Sequence, residues 1–295
     1  MLPPRPRPPR RWTRAQNAPR FSLNYAPHEG SFASRGNRLE QIAFAADQGF
    51  TAWEDNEAAG RPVAEQEAMA RALRQRNMKM GVFVASMPRW ADLRPLLGGN
   101  DDADRERFLA DIRASIAVAK RLDAKWMTVV PGFLDRRLPI DIQAGRIVDT
   151  MRRAADIVAP HGLVMVMEPL NTLVDHPGVF LQTVPQGFAV ARGVNSPAVK
   201  VLADLYHVQI QSGHLIKTME TCWSEIAYLQ FGDNPGRKEP GTGEINHRTI
   251  VRWLRARAFA GVIGMEHGNS MEGRAGEEAL VAAYRAIDAA WGRGA

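Results

Sequence analysis

The chain has 295 residues, 45% of them hydrophobic, with one cysteine and a formal net charge of +6, which is enough apolar material for one large core or two ordinary ones. Six arginines and no acidic residue fall in positions 1–20, so the rest of the chain is neutral, which argues against a nucleic-acid-binding body and leaves only that segment able to touch polyanions weakly. Cys222 stands alone, which excludes an intramolecular disulfide or a multi-cysteine zinc site, and no apolar run reaches the roughly 18 residues that a membrane-crossing helix needs.

In chain order, the stretch 1–20, "MLPPRPRPPRRWTRAQNAPR", carries six prolines and almost no aliphatic residue. It lacks the surface to fold alone and reads as an extended or disordered tail, a leader or start-site artefact. Arg10-Arg11 is the pair a twin-arginine export signal uses, yet no apolar stretch of signal length follows before Asn17; a cytoplasmic location is therefore expected rather than export. From 21 to 295, short β-branched or apolar runs read as strands at 21–26, 50–54, 80–85, 126–130, 163–168, 199–204, 227–231 and 262–266. Apolar residues recurring at three and four predict helices at 38–49, 63–77, 104–124, 144–162, 184–195, 214–226, 247–261 and 277–291. Gly49, Gly162, Gly193 and Gly261 fall at or near the ends of these patterns as stop signals. Cys222 lies in an apolar-periodic stretch and reads as a small core filler.

Eight strand–helix units whose strands are apolar throughout, rather than alternating, suit a parallel sheet covered by helices. They predict an α/β fold, a single (β/α)8 TIM barrel over 21–295, with functional groups at the carboxyl ends of the strands. A doubly wound open sheet is the alternative, but "GTGEIN" at 241–246 lacks the third glycine of a nucleotide fingerprint and no Walker A run occurs.

Under the barrel reading, four consecutive strands end in oxygen donors: Glu168, Asp204, Gln230 and Glu266. Pro169 holds Glu168 extended. Taken singly, each is as readily a helix cap or a solvated loop residue. Together, three carboxylates and an amide oxygen would repel one another without a cation, and one divalent metal ion, Mg²⁺ or Mn²⁺, matches this hard oxygen set.

"MEPLN" (167–171), "ADLYH" (203–207), "GDNPGRKEPGTGEIN" (232–246) and "GMEHGNS" (264–270) resemble the hydroxypyruvate isomerase family of xylose-isomerase-like TIM barrels, and the resemblance runs from about Phe21 to the end. It implies that Glu168, Asp204, Gln230 and Glu266 bind one divalent metal, and that Glu168 and Glu266 are the catalytic acid/base pair. It also implies that His207 binds a substrate oxygen. The reaction expected is aldose–ketose isomerisation of a small hydroxy-carbonyl acid or sugar by proton transfer through an enediolate, with a place in carbohydrate metabolism. Two glutamates could equally serve epimerisation, so a ketose 3-epimerase of tagatose or allulose type stays open, as does a non-catalytic sugar-binding barrel. A metal-dependent apurinic endonuclease on the same barrel would need a multi-zinc cluster richer in histidine and a basic face. The partner expected is a small molecule, with neither nucleic acid nor membrane; a homo-oligomer is compatible with the sequence.

Other residues are read with less resolution. Arg237 can make a bidentate contact to a substrate carboxylate or be a surface arginine. His28 after the first strand and Glu54 after the second depart from the hydroxypyruvate isomerase pattern; they could read the hydroxyls of a longer sugar or serve ordinary loop roles. Glu244 either organises its Gly/Pro-rich loop by accepting backbone hydrogen bonds or caps the helix that follows. His267 should point outside the barrel by alternation. Phe83, Met87, Trp126 and Phe231 are candidates for the pocket wall or the core.

Overall fold

The computed structural model describes residues 20–289. All of the stretch read as a tail except Arg20 lies outside them, as does the end of the last expected helical pattern. The strands are β1 (Asn24–Ala26), β2 (Ala52–Trp53), β3 (Lys79–Met80), β4 (Val84–Ser86), β5 (Trp126–Val129), β6 (Val164–Met167), β7 (Val199–Asp204), β8 (Ile226–Gln230) and β9 (Val262–Gly264). Their pairings are parallel, in the order β1-β9-β8-β7-β6-β5-β4, with β2 beside β3.

Backbone hydrogen bonds close this curled sheet into a barrel. Glu54 N donates to Pro27 O at 3.0 Å, joining β2 to β1, while Val84 N donates to Asn56 O at 3.0 Å and Asp55 N to Val82 O at 3.3 Å, joining β4 to β2. Strands β3 and β4 are therefore two pieces of one stave, and the continuous strand expected at 80–85 is interrupted. The cause is lateral: the hydroxyl of Tyr228 accepts from Val82 N at 3.3 Å, and a Cβ at Gly81 would overlap that hydroxyl and lie 3.1 Å from Trp53 O.

The helices are α1 (Arg38–Asp47), α2 (Val63–Gln75), α3 (Asp102–Leu122), α4 (Ile140–Val158), α5 (Val184–Val194), α6 (Leu205–Gln211), α7 (Leu215–Cys222), α8 (His247–Ala256) and α9 (Gly273–Asp288). They bury the faces their periodicity marks; α4, for example, turns Ile147, Met151, Ala154, Ala155 and Val158 inward. The single helix expected at 214–226 is α7 alone, and the unpredicted α6 begins directly after β7. Gly49 and Gly162 end helical segments with φ of 86° and 69°, but Gly193 lies inside α5, whose left-handed terminator is Asn195 at 56°, and the segment before Gly261 turns at Ala258 at 50°. Asparagine tolerates that conformation because its short polar side chain can satisfy local backbone groups. Gly193 is instead a packing position, where a Cβ would meet Val148 at 3.1 Å.

Cys222 is buried in the core, as expected. Among the described residues no helix is long and apolar enough to cross a membrane. At the carboxyl ends of the strands long connections run over 168–183 and 231–246, and these build the mouth of the barrel.

Candidate active site and metal centre

Asp204 and Gln230 are the last residues of β7 and β8 and stand opposite one another in register, with Gly264 opposite Gln230 on the other side. Glu168 follows β6 directly, and Glu266 lies just past β9, after Met265 N has donated to Ala26 O at 2.9 Å. Asp204 also caps α6, accepting from Tyr206 N at 2.9 Å. That cap places His207 on the first turn of α6, with Nε2 3.6 Å from Asp204 Oδ2 and 3.9 Å from Glu168 Oε1. Glu168, Asp204 and His207 thus each offer a ligand atom, all within 4.8 Å of one another. Arg237 Nη2 donates to Asp204 Oδ2 at 2.6 Å and lies 3.2 Å from Glu266 Oε2, so it bridges two of the carboxylates.

The site carries more negative charge than Arg237 can balance. Burial, then Glu266, then Asp204, hold the Glu168 carboxyl well above its usual range. Burial pushes Glu266 up to about 7 against the opposing pull of Arg237, and burial also raises Asp204. Two oxygens, Gln230 Oε1 and Glu266 Oε2, are buried without a hydrogen-bond partner. A buried acceptor left unpaired costs free energy on the order of 1–3 kcal/mol. An unpartnered amide oxygen among carboxylates that share one guanidinium suits a hard divalent cation, and Glu168, Asp204, Gln230 and Glu266 fit one by their chemistry.

His207 is held in a definite tautomer. Asn171 accepts Val174 N and Asp175 N on Oδ1, at 3.0 and 3.1 Å, and donates from Nδ2 to Asp175 Oδ2 at 2.6 Å. Its Nδ2 also lies 2.7 Å from His207 Nδ1, which accepts there and puts the proton on Nε2, 3.3 Å from Arg237 Nη2, whose own protons are directed to Asp204 and Glu266. Burial, reinforced by Arg237 and His176, lowers the His207 pKa to about 2 and keeps the ring neutral.

Glu54, expected to read substrate hydroxyls, has both carboxylate oxygens engaged by side chains of β8. It is 1% exposed, with Oε2 accepting from the Tyr228 hydroxyl at 2.7 Å and Oε1 from Gln230 Nε2 at 2.8 Å. Burial and then the Glu266 carboxylate push it up to about 8, while two donors on its two oxygens suit the ionised form. His28 turns to the backbone, with Nδ1 2.7 Å from Glu29 O and Nε2 3.2 Å from His267 O. Arg237, expected to meet a substrate carboxylate, is engaged with Asp204 and Glu266 and lies over the Tyr206 ring, 4.8 Å from its centroid. His267 faces outward as alternation required, its Nε2 3.0 Å from the Tyr284 hydroxyl on α9.

Phe83 and Phe231 are core, both 0% exposed, whereas Met87 is 45% exposed. Trp126 is half-buried and packs edge-on against Tyr228, with ring centroids 5.8 Å apart. The aromatic wall beside His207 comes instead from His176 and Tyr206, at 5.4 and 5.3 Å between centroids, with the Trp90 ring tilted against His176 at 4.8 Å. Sequence reading missed these because they lie in loops or on the unpredicted α6. It also missed Asn56, whose Nδ2 donates to Glu266 Oε1 at 3.1 Å.

A model of the xylose isomerase-like TIM barrel family matches residues 42–288. The chain belongs to that family. The hydroxypyruvate isomerase of Escherichia coli is 30% identical over 162 residues, 55% of this chain and 62% of that protein, so the chain spans less than two thirds of that relative's length. The 2-oxo-tetronate isomerase of Cupriavidus necator is 28% identical over 257 residues, 84% of this chain and 92% of that protein. Among solved structures, an AP endonuclease, family 2, from Brucella melitensis superimposes with a TM-score of 0.76 at 26% identity, covering 86% of this chain and 96% of that one.

In this xylose isomerase-like barrel the 231–246 loop is built around Asp233, which is 0% exposed. Its Oδ1 accepts from Asn234 N and Ile245 N at 2.9 and 3.0 Å, and its Oδ2 from Gly241 N at 2.8 Å. The neighbouring Glu239 accepts from the amide and the hydroxyl of Ser270, tying the loop to the segment after β9. Glu244 does organise the loop, though through side-chain amides: Asn234 Nδ2 at 2.9 Å and Gln209 Nε2 at 3.0 Å. The cap of α8 is Asn246, which accepts from Thr249 N at 3.1 Å.

Proposed function

We propose that this barrel is a metal-dependent aldose–ketose isomerase of hydroxypyruvate isomerase type, acting on a small hydroxy-carbonyl acid or sugar. The observation that carries the reading is the set of oxygen donors at the ends of four consecutive staves, where Gln230 Oε1 is buried without a partner and Glu266 Oε2 has only the Arg237 guanidinium, at 3.2 Å. Glu168, Asp204, Gln230 and Glu266 would hold the cation, Mg²⁺ or Mn²⁺. When bound, it supplies Lewis-acid stabilisation of charge developing on substrate oxygens.

The chain's own residues supply the proton transfers. Glu168 and Glu266 stand just past β6 and β9, flanking Asp204 and Gln230; one takes the proton from the hydroxyl-bearing carbon and one returns a proton to its neighbour. A carboxyl pushed toward neutrality both accepts and gives back a proton near pH 7, and such general acid–base transfer contributes about 10²–10⁴ in rate. The Nε2–H of His207 donates to a substrate oxygen. Trp90, His176 and Tyr206 supply an aromatic flank beside His207 against which the substrate would pack.

The names of the two sequence relatives, both isomerases, support this reading. A nucleic-acid substrate is the competing one, because the Brucella melitensis structure carries an endonuclease name. The neutral charge beyond position 20 speaks against it, as does a ligand group holding a single histidine among the described residues. Proton NMR in deuterated water, with Mn²⁺ or Mg²⁺ and a panel of hydroxypyruvate, small 2-oxo acids, D-fructose and D-tagatose, tests the proposal. Deuterium should enter beside the carbonyl as it migrates between adjacent carbons. Inversion of configuration at C3 alone would make the enzyme an epimerase, and no exchange with any compound would reject both.

A further inference from the structure

The geometry points to Glu54 as a positioning residue that fixes the amide of Gln230 so that its oxygen, and not its nitrogen, faces the metal site. The inference rests on the reading of the site proposed above. A glutamine is an ambiguous ligand, since rotating its amide by half a turn replaces an oxygen donor with an NH₂ group that repels a cation. Something must choose between the two orientations. Here Gln230 Nε2 donates to Glu54 Oε1 at 2.8 Å, and the opposite end of the amide, Oε1, is buried without a partner. The reversed amide would set its carbonyl oxygen against a carboxylate oxygen, which is repulsive.

Glu54 is itself fixed. The hydroxyl of Tyr228, two residues before Gln230 on the same strand and so on the same face, donates to its other oxygen at 2.7 Å. Room for the carboxylate is made on the neighbouring stave: a Cβ at Gly264 would overlap it and come within 2.8 Å of Gln230 Cγ. Tyr228, Glu54 and Gln230 thus form a buried relay from two staves whose one unpartnered end is the Gln230 oxygen. Partners behind a metal ligand commonly set about 10–100-fold in metal affinity.

The test is Mn²⁺ binding to the full-length protein, followed by electron paramagnetic resonance of free Mn²⁺, with melting of the metal-free proteins as the control for folding. Glu54→Met, which removes the acceptor at similar length, should weaken binding about 10-fold or more, and Glu54→Gln, whose one amide oxygen cannot accept from both Tyr228 and Gln230, should recover only part of it. In a Gln230→Met background, Glu54→Met should add no further loss, because the pair acts through one atom. Should Glu54→Met not fold, Glu54→Asp withdraws the carboxylate within the same packing and should still weaken binding several-fold. Wild-type affinity in the folded Glu54 variants, or losses that simply add to that of Gln230→Met, would overturn the positioning role while leaving the metal site standing. A wild-type protein that binds no Mn²⁺ would overturn the metal reading and this inference with it.

Discussion

Asn171 Nδ2 lies 2.7 Å from Nδ1 of His207, and because its own oxygen is held by two backbone amides it can only donate there. The imidazole is consequently committed to carrying its proton on Nε2. Asn171→Asp keeps the size but replaces that donor with an acceptor, so the ring should move its proton to Nδ1 and lose the donor facing substrate. We expect kcat to fall about 10²-fold, in line with losing one oriented donor, with ¹⁵N NMR of the ring reporting the change of tautomer. An unaltered ring spectrum would show that Asn171 does not control it.

Replacing Glu168 or Glu266 by glutamine removes a proton carrier while keeping volume and an oxygen donor. Each variant should lose about 10²–10⁴ in solvent deuterium exchange and melt no lower than the parent in the metal-free state, since each relieves repulsion among buried carboxylates. Exchange at parental rates in both variants would remove them as the acid/base pair.

Chelation offers an independent check. Prolonged dialysis against EDTA should abolish turnover, and stoichiometric Mn²⁺ or Mg²⁺ should restore it and raise the melting temperature by linkage. Full activity after stripping, verified by elemental analysis, would exclude the Lewis-acid role.

Gly264→Ala tests the interior packing. The added methyl overlaps the Glu54 carboxylate, and overpacking of this kind costs about 1–3 kcal/mol. Denaturant unfolding should register that loss, and Mn²⁺ affinity should fall alongside. A variant as stable as the parent would mean that Glu54 has slack to withdraw.

The loop over 231–246 should be equally sensitive at its centre. Asp233→Ala strips three backbone amides of their acceptor, and each buried donor left unpaired costs about 1–3 kcal/mol. Faster amide hydrogen exchange confined to 234–245 is expected, together with a raised KM through the displaced Arg237. Exchange unchanged in that segment would place the loop's order elsewhere.

The barrel and the four stave ends were legible in the sequence because a carboxylate or amide closing a continuous apolar run is visible without coordinates. Glu54 shows where legibility stops. A glutamate after a strand reads identically whether it meets substrate or a tyrosine from another stave, and Tyr228 is 174 residues away. The broken third stave has the same origin, since Gly81 yields to that same hydroxyl. Asn195 ends α5 where a glycine was expected, because asparagine fills the left-handed turn and Gly193 is needed for packing. Trp90 and His176 carry no periodic signal; their place beside His207 is set by loop paths that no local pattern encodes.

The two side-chain-free positions at 81 and 264, where a methyl group would collide with a polar neighbour, make the interior layer an all-or-none inheritance. Enlarging either evicts the tyrosine hydroxyl or the glutamate behind the glutamine, so a redesigned chain that exchanged Gln230 for another ligand would be released from both glycines at once. Engineering of this barrel's mouth therefore begins one layer below it.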